Sequence, residues 1–151
     1  GNGKAGNDLQ KGIVDNPDTS IDAPLAVAVD QANRAVYFTD TNNGQVVRID
    51  GDLNAVPTFT ATVVAKDLDH PGGITFNPAT KHLLIADTSS NRILVWDGVT
   101  GLHAKATCSA TADPATAIIW PQSLALVGAE DFPLYFSDFT SNRIRILNIR
   151  P

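Results

Sequence analysis

A unit of about fifty residues recurs three times in this 151-residue chain and limits its possible folds more than any other feature. In each copy a proline opens an apolar segment, and a second apolar segment ends in an aspartate followed by a short polar turn. The prolines are Pro24, Pro71 and Pro121, and the aspartates are Asp40, Asp87 and Asp138. Successive prolines stand 47 and 50 residues apart. A period of this length, with several short strands in each repeat, indicates propeller blades or a solenoid.

Each unit holds apolar segments with the patterns of β-strands. The first alternates small and large residues, which is typical of a strand whose two faces meet different surroundings. The second is apolar on both faces, as in a strand inside a covered sheet. The predicted strands lie at 26–29, 36–39, 45–49 and 58–65, at 73–76, 83–86, 92–96 and 103–108, and at 123–126, 134–137 and 143–147. The sequence therefore predicts an all-β fold of four-stranded antiparallel β-propeller blades.

These blades are expected to form one propeller segment that takes up the whole chain, residues 1–151. The blade units are placed at about 21–66, 68–117 and 118–151. Residues 1–20 are interpreted as the end of a preceding outer strand and its loop.

The repeats resemble the NHL family. The resemblance is carried by the proline that opens each unit, by the strand that ends in aspartate, and by an Asp-x-x-x-Asn-Arg-Ile turn, present in full at 87–93 and 138–144. The first copy departs from the turn motif, with Gly44 and Gln45 where Asn and Arg are expected. The YWTD-type propellers are the most similar alternative, because Tyr-Phe-Thr-Asp and Tyr-Phe-Ser-Asp end the second strand of two units. The resemblance implies a six-bladed ring, of which three blades would be half.

Three blades leave unpaired edges and an exposed apolar blade face. Two copies could close a ring, more copies could stack into an open assembly, or the blades could belong to a longer polypeptide. We therefore expect a protein partner, either a second copy or the remainder of a longer chain.

Composition narrows the choice of partner and compartment. The chain has 16 acidic and 11 basic residues and a net charge of −5, and its basic residues do not cluster, so nucleic acid is not expected as a partner. No apolar run is long enough to span a membrane. Few lysines and an N-terminus that looks processed favour an extracellular location. The single cysteine, Cys108, is interpreted as a small buried residue or as a bridge to another chain.

Candidate contact residues lie in the loop before the first strand of a unit and in the turn after the second, which should share one face of the propeller. These residues are His70, Trp120 and Phe139. The strand-end aspartates Asp40, Asp87 and Asp138, with Asn91 and Asn142, are interpreted as turn-stabilising residues, because a catalytic site rarely needs the same residue in every repeat. A zinc site needs three or four protein ligands, and this face offers a single imidazole. We therefore expect no cofactor, with a divalent cation as the alternative.

The resulting functional hypothesis is a non-catalytic interaction or assembly module made of NHL-like blades. One alternative is half of a metal-dependent propeller enzyme, resembling the amidating lyases or the lactonases. Another is a structural subunit of an extracellular polymer.

Overall fold

The computed structural model describes residues 21–51, 60–107, 117–128 and 133–148, and these residues form strands and turns without a helix. Their secondary structure confirms the all-β prediction. The strands are β1 (Pro24–Asp30), β2 (Ala35–Asp40), β3 (Gln45–Asp50), β4 (Thr60–Ala65), β5 (Pro71–Asn77), β6 (His82–Asp87), β7 (Arg92–Trp96), β8 (Leu102–Thr107), β9 (Pro121–Leu126), β10 (Pro133–Asp138) and β11 (Arg143–Asn148).

The strands form three antiparallel sheets, one for each repeat. Blade one has the order β1-β2-β3-β4 and blade two the order β5-β6-β7-β8. Blade three consists of β9, β10 and β11 within the described residues. Because each strand pairs with its neighbour in sequence, every blade is a simple meander, as predicted. None of the described residues forms a helix that could cross a membrane.

The turn after the second strand has one backbone conformation in all three blades. Gly44, Asn91 and Asn142 occupy the left-handed region, with φ of 61°, 53° and 54°. Glycine adopts this conformation without steric cost, and asparagine tolerates it better than most residues do. Gly44 has a second reason to be glycine, since a Cβ there would stand 2.3 Å from the carbonyl oxygen of Leu68.

Two of the three buried clusters lie between the blades, and the third, formed by Phe38, Val47 and Ile49, lies on blade one. We call the side of a blade that faces the preceding blade its leading face, and the opposite side its trailing face. One buried cluster joins the trailing face of blade one, including Tyr37, to the leading face of blade two, including Ile85. A second cluster joins Leu84 and Ile93 on the trailing face of blade two to Phe136 on the leading face of blade three. The apolar character of β6 on both faces is thus explained by burial against blade one on one side and blade three on the other.

The inner strands β1, β5 and β9 lie side by side, and their alternation follows from this arrangement. Their large residues lie on the leading face, where Ile74 joins the core with blade one and Leu124 the core with blade two. Small residues on the other side allow close approach. A Cβ on Gly73 would stand 2.3 Å from the carbonyl oxygen of Gln122, so the junction of β5 with β9 leaves no room for a side chain there.

Candidate functional site

The loop that precedes each inner strand has the same conformation in the three blades. Ala23, His70 and Trp120, each followed by the blade proline, have φ of 53°, 50° and 54°. Left-handed backbone is unfavourable for such residues, and it persists where surrounding contacts enforce it.

The contacts that enforce it come from the strand-end aspartates, whose side chains are fully buried. Asp40 Oδ1 accepts a hydrogen bond from the N–H of Asp22 at 2.7 Å, and Asp87 Oδ1 accepts one from the N–H of Asp69 at 2.7 Å. Each donor is the second residue before a blade proline. The aspartate therefore ties the entry loop of a blade to the turn at the end of its second strand.

The side chain that donates a hydrogen bond to the other carboxylate oxygen, Oδ2, differs between the blades. Asp40 Oδ2 accepts hydrogen bonds from Gln45 and Asn43, whereas Asp87 Oδ2 pairs with Arg92 Nε at 2.6 Å. In these two blades the carboxylate oxygens are occupied by N–H donors. Such surroundings suit a structural carboxylate better than a cation ligand, which must point its oxygens at the metal.

Blade three uses a different arginine from the one that the motif suggests. Arg143 corresponds in sequence to Arg92 but is exposed, and Arg145 instead lies 3.0 Å from Asp138 Oδ2. Burial raises the pKa of Asp138, but the neighbouring Ser141 and Arg145 side chains outweigh it and hold the pKa below its ordinary value. The sequence analysis did not single out Arg145. The choice depends on strand register, which the motif does not specify: Arg145 stands opposite Phe136 and lies over that ring.

Two of the three predicted contact residues touch each other. The rings of Trp120 and Phe139 stack with centroids 6.5 Å apart and an interplanar angle of 30°. Their exposed fractions are 45% and 61%, so the pair offers a broad apolar surface to solvent. The backbone holds the pair together, because the N–H of Phe139 donates to the carbonyl oxygen of Trp120 at 3.2 Å.

His70, the third predicted contact residue, stands at the same position in blade two. It is exposed, and its Nδ1 lies 2.7 Å from Asp69 Oδ1. No group of three or more His, Cys, Asp or Glu side chains that could hold a metal ion occurs within the described parts of the chain.

Hydroxyl groups fasten one blade to the next. Thr41 Oγ1 donates to the carbonyl oxygen of Pro71 at 2.9 Å, and Thr88 Oγ1 donates to that of Pro121 at 2.8 Å. Each threonine follows a strand-end aspartate, and the residue at this position in blade three is Phe139. The blade-three turn therefore lacks the hydroxyl that makes this contact in the other two blades.

The outer surfaces of the first and third blades expose residues that are buried at the equivalent positions elsewhere. Ile144 on the trailing face of blade three is 73% exposed, whereas its equivalents Val46 and Ile93 are fully buried. Val27 on the leading face of blade one is 64% exposed, whereas its equivalent Ile74 is 6% exposed. The trailing face of blade three is thus open along β11. The leading face of blade one is open only along β1, because Phe38, Val47 and Ile49 on its next two strands are buried. The sequence analysis expected an exposed apolar blade face but did not assign it to residues.

A polar cluster at the loop between β7 and β8 has a structural explanation. Asp97 Oδ1 accepts hydrogen bonds from the N–H groups of Val99 and Thr100 at 2.8 and 2.7 Å, and His103 Nε2 lies 3.2 Å from Oδ2. The hydroxyl of Thr100 and the N–H of Val99 lower the pKa of Asp97 far below its ordinary value. The cluster closes an Asp-centred turn, a common use of aspartate in loops.

Comparison with known proteins establishes the fold class. No protein-family model matches the chain. Similar solved structures include a chain of a nidogen/laminin complex, with a TM-score of 0.66 and 21% identity over 83% of this chain and 43% of that one. A gluconolactonase from Xanthomonas campestris has a TM-score of 0.60 and 17% identity over 76% of this chain and 34% of that one. Virginiamycin B lyase from Staphylococcus aureus has a TM-score of 0.54 and 18% identity over 85% and 42%.

These similar structures are β-propeller proteins, and the chain is a β-propeller protein in its fold. The predicted fold class is confirmed. The chain spans less than half the length of each of the three, and they include both binding proteins and enzymes. Since one fold supports many activities, the likeness identifies architecture and leaves activity to be argued from the residues.

Proposed function

We propose that the chain is a non-catalytic interaction and assembly module built from NHL-like blades and completed by further blades. The observation that carries the proposal is the open trailing face of blade three, where Ile144 is 73% exposed, together with the exposed Val27 on the inner strand of blade one. Within the chain the same positions form the cores between blades. Apolar residues at these positions are expected to be covered by a protein surface, because large exposed apolar patches mark interaction sites.

Contacts with other proteins would come from the face that carries the blade prolines. Trp120 and Phe139 form its apolar part, and His70 adds a polar group. Aromatic residues are enriched at binding surfaces because they bury much area with few rotatable bonds. One of the similar structures is a chain of a nidogen/laminin complex, which supports a protein-binding role for a propeller of this kind. We further propose an extracellular location for the module, which its few lysines favour.

A tandem protein that carries two copies of the chain in one polypeptide tests completion by further blades. We expect the tandem to unfold at a higher temperature than the single chain, because Ile144 of the first copy and Val27 of the second become buried. Ile144→Asp in the first copy should remove most of the gain, and Val99→Asp, a matched change at an exposed loop, should not. A tandem that unfolds at the temperature of the single chain would contradict the proposal.

A metal-dependent enzyme is the second candidate function. It is favoured by the pairing of Asp69 and His70 on the blade-proline face and by the enzymes among the similar structures. A carboxylate bonded to one imidazole nitrogen orients the ring for metal binding or proton transfer. Calorimetric titration with Zn²⁺ tests it. The enzyme hypothesis predicts binding that His70→Ala abolishes, and a chain that takes up no Zn²⁺ would contradict it.

The third hypothesis, a subunit of an extracellular polymer, predicts large species at high concentration and a bridge through Cys108, which lies outside the described residues. Non-reducing electrophoresis of wild type and Cys108→Ser tests it. Loss of covalent dimers in the variant would support the polymer, and a wild type without such dimers would contradict the bridge.

A further inference from the structure

We infer that the protein partner of the blade-proline face is a basic peptide segment. Its cationic side chains would lie over the rings of Trp120 and Phe139 and pair with the exposed aspartates of the entry loops. This inference rests on the proposed function and names the chemical class of the partner. It concerns a different surface from the open trailing face of blade three.

The aromatic pair is the centre of this surface. Trp120 and Phe139 stack on each other and are still 45% and 61% exposed. At the position of Phe139 the other two blades have Thr41 and Thr88, which bond to the proline of the next blade. Phe139 makes no bond of that kind and leaves an aromatic ring in solvent. The faces of tryptophan and phenylalanine rings attract cations.

An arginine that lies over a ring and pairs with an aspartate occurs twice within the described residues. Arg48 lies 5.5 Å from the ring centroid of Tyr37 and pairs with Asp50 at 2.6 Å. Arg145 lies 5.6 Å from the ring centroid of Phe136 and pairs with the strand-end aspartate of its blade at 3.0 Å. The aromatic pair on the blade-proline face has rings and nearby aspartates, and a basic partner would supply the cation.

The entry loops beside the pair are acidic. Asp22, Asp67 and Asp69 are exposed, and none of them pairs with a lysine or arginine among the described residues. Asp69 bonds to His70 through Oδ1 alone. Within the described entry loops Lys66 is the only lysine or arginine.

The opposite end of the blades carries exposed cations instead. Arg34 lies in the turn between β1 and β2, and Lys81 lies in the turn between β5 and β6. The two ends of the chain therefore differ in charge. Complementary charge gives specificity to an interface, so the acidic end favours a basic partner and disfavours an acidic one.

Hydrogen bonds place the acidic loop of blade two and the aromatic pair on either side of one turn. The carbonyl oxygen of Asp69 accepts a hydrogen bond from the N–H of Ser89 at 3.1 Å. Asn91, in the same turn, accepts one from the N–H of Trp120 at 2.8 Å through its side-chain oxygen. An extended peptide of about five residues, at roughly 3.3 Å each, would span the distance across this turn. One segment with two basic residues can therefore contact both groups.

Titration with synthetic glycine–serine peptides that carry two arginines about five residues apart tests the inference. Matched peptides carry citrulline, the neutral isostere of arginine, or glutamate at the same positions. NMR shifts of the Trp120 indole N–H measure binding. We expect the arginine peptide to bind roughly tenfold more tightly than the citrulline peptide, with an affinity that falls as salt is added. Equal affinities for the arginine and citrulline peptides, or binding of neither, would overturn the inference.

Variants locate the bound peptide. Trp120→Ala should weaken binding of the arginine peptide roughly threefold to tenfold. Asp69→Asn keeps the backbone N–H that bonds to Asp87 and should weaken binding roughly threefold. Lys66→Gln and Lys81→Gln remove the same charge from opposite ends, and Lys66→Gln alone should tighten binding, roughly twofold. Equal effects of the two lysine variants would overturn the inference, because binding would then follow net charge alone.

Phe139→Ala is a second test of the aromatic pair, and Val99→Ala, at an exposed loop of the opposite end, is its matched control. Circular dichroism checks that each variant is folded. Unchanged peptide affinity in both Phe139→Ala and Asp69→Asn would overturn the inference. The tandem protein separates this failure from that of the proposed function. A stabilised tandem without arginine-specific binding would support completion by further blades and overturn the basic partner alone.

Discussion

Blades two and three carry the same turn motif, Asp-x-x-x-Asn-Arg-Ile, and the two copies differ in almost every contact that the motif makes. In blade two the asparagine accepts a hydrogen bond from the next blade, the arginine pairs with the aspartate, and the isoleucine is buried. In blade three the side chain of the asparagine accepts no hydrogen bond from a described residue, a different arginine pairs with the aspartate, and the isoleucine is exposed. The motif therefore determines the backbone of the turn, whereas the neighbouring blade determines burial and pairing.

The largest expected effect comes from the two isoleucines of this motif. Ile93→Asp places a charge in the core between blades two and three and should destabilise the chain by about 4 kcal/mol or more. Ile144→Asp changes an exposed residue and should alter the stability of the dilute chain by about 0.5 kcal/mol at most. Urea unfolding at low protein concentration measures both. Equal losses of stability in Ile93→Asp and Ile144→Asp would show that the trailing face of blade three is already covered within one chain.

The arginines of the two turns give the next largest effect. Arg92→Ala and Arg145→Ala each remove the cation that pairs with a buried carboxylate and should cost about 2 kcal/mol, a usual value for hydrogen bonds to charged groups. Arg143→Ala is the matched control and should cost close to nothing, because Arg143 is exposed. A larger loss of stability for Arg143→Ala than for Arg145→Ala would mean that the motif arginine, Arg143, is the one that pairs with Asp138.

The threonine contacts between blades have a smaller expected effect. Thr88→Val keeps the shape of the side chain and removes the hydroxyl that donates to Pro121, which should cost about 1 kcal/mol. Thr41→Val should have a similar effect through Pro71. Thr140→Val lies in the exposed turn of blade three and serves as the control. Thermal unfolding compares the stability of the three variants. A loss for Thr140→Val as large as that for Thr88→Val would indicate a further contact of the Thr140 hydroxyl in that turn.

The smallest effect concerns pH. The folded-state pKa of Asp138 lies below its ordinary value, so its contribution to stability is present above the unfolded pKa, near pH 4, and is lost as the pH falls through the folded value. Between pH 7 and pH 3 the free energy of unfolding should therefore decline less in Asp138→Asn than in the wild type. Urea titrations at several pH values measure the two slopes. Identical slopes would contradict the conclusion that Arg145 and Ser141 lower the pKa of Asp138.

The sequence predicted the fold well because the determinants of a blade are local and repeated. Strand alternation, the opening proline and the strand-end aspartate recur in every unit, and each corresponds to a strand or turn of the structure. The fourth strand was predicted in the first two units, and β4 and β8 occupy those positions.

The details of the candidate site depended on contacts that sequence alone does not specify. Trp120 was selected because it precedes a repeated proline, and Phe139 because it follows a repeated aspartate. Their stacking depends on the backbone hydrogen bond between them. The use of Arg145 in place of Arg143 depends on strand register and on the aromatic ring of Phe136. Exposure of Ile144 could not be predicted from its motif, since the same motif buries Ile93.

Hydrogen exchange measured as a function of protein concentration tests the central claim most directly, namely that the trailing face of blade three is a docking surface for a further blade. The amides of β11 should become more protected as the concentration rises, while those of β7, which is already covered, should not change. Exchange in β11 that stays constant while the average mass of the protein increases would contradict the account, because association would then involve another surface.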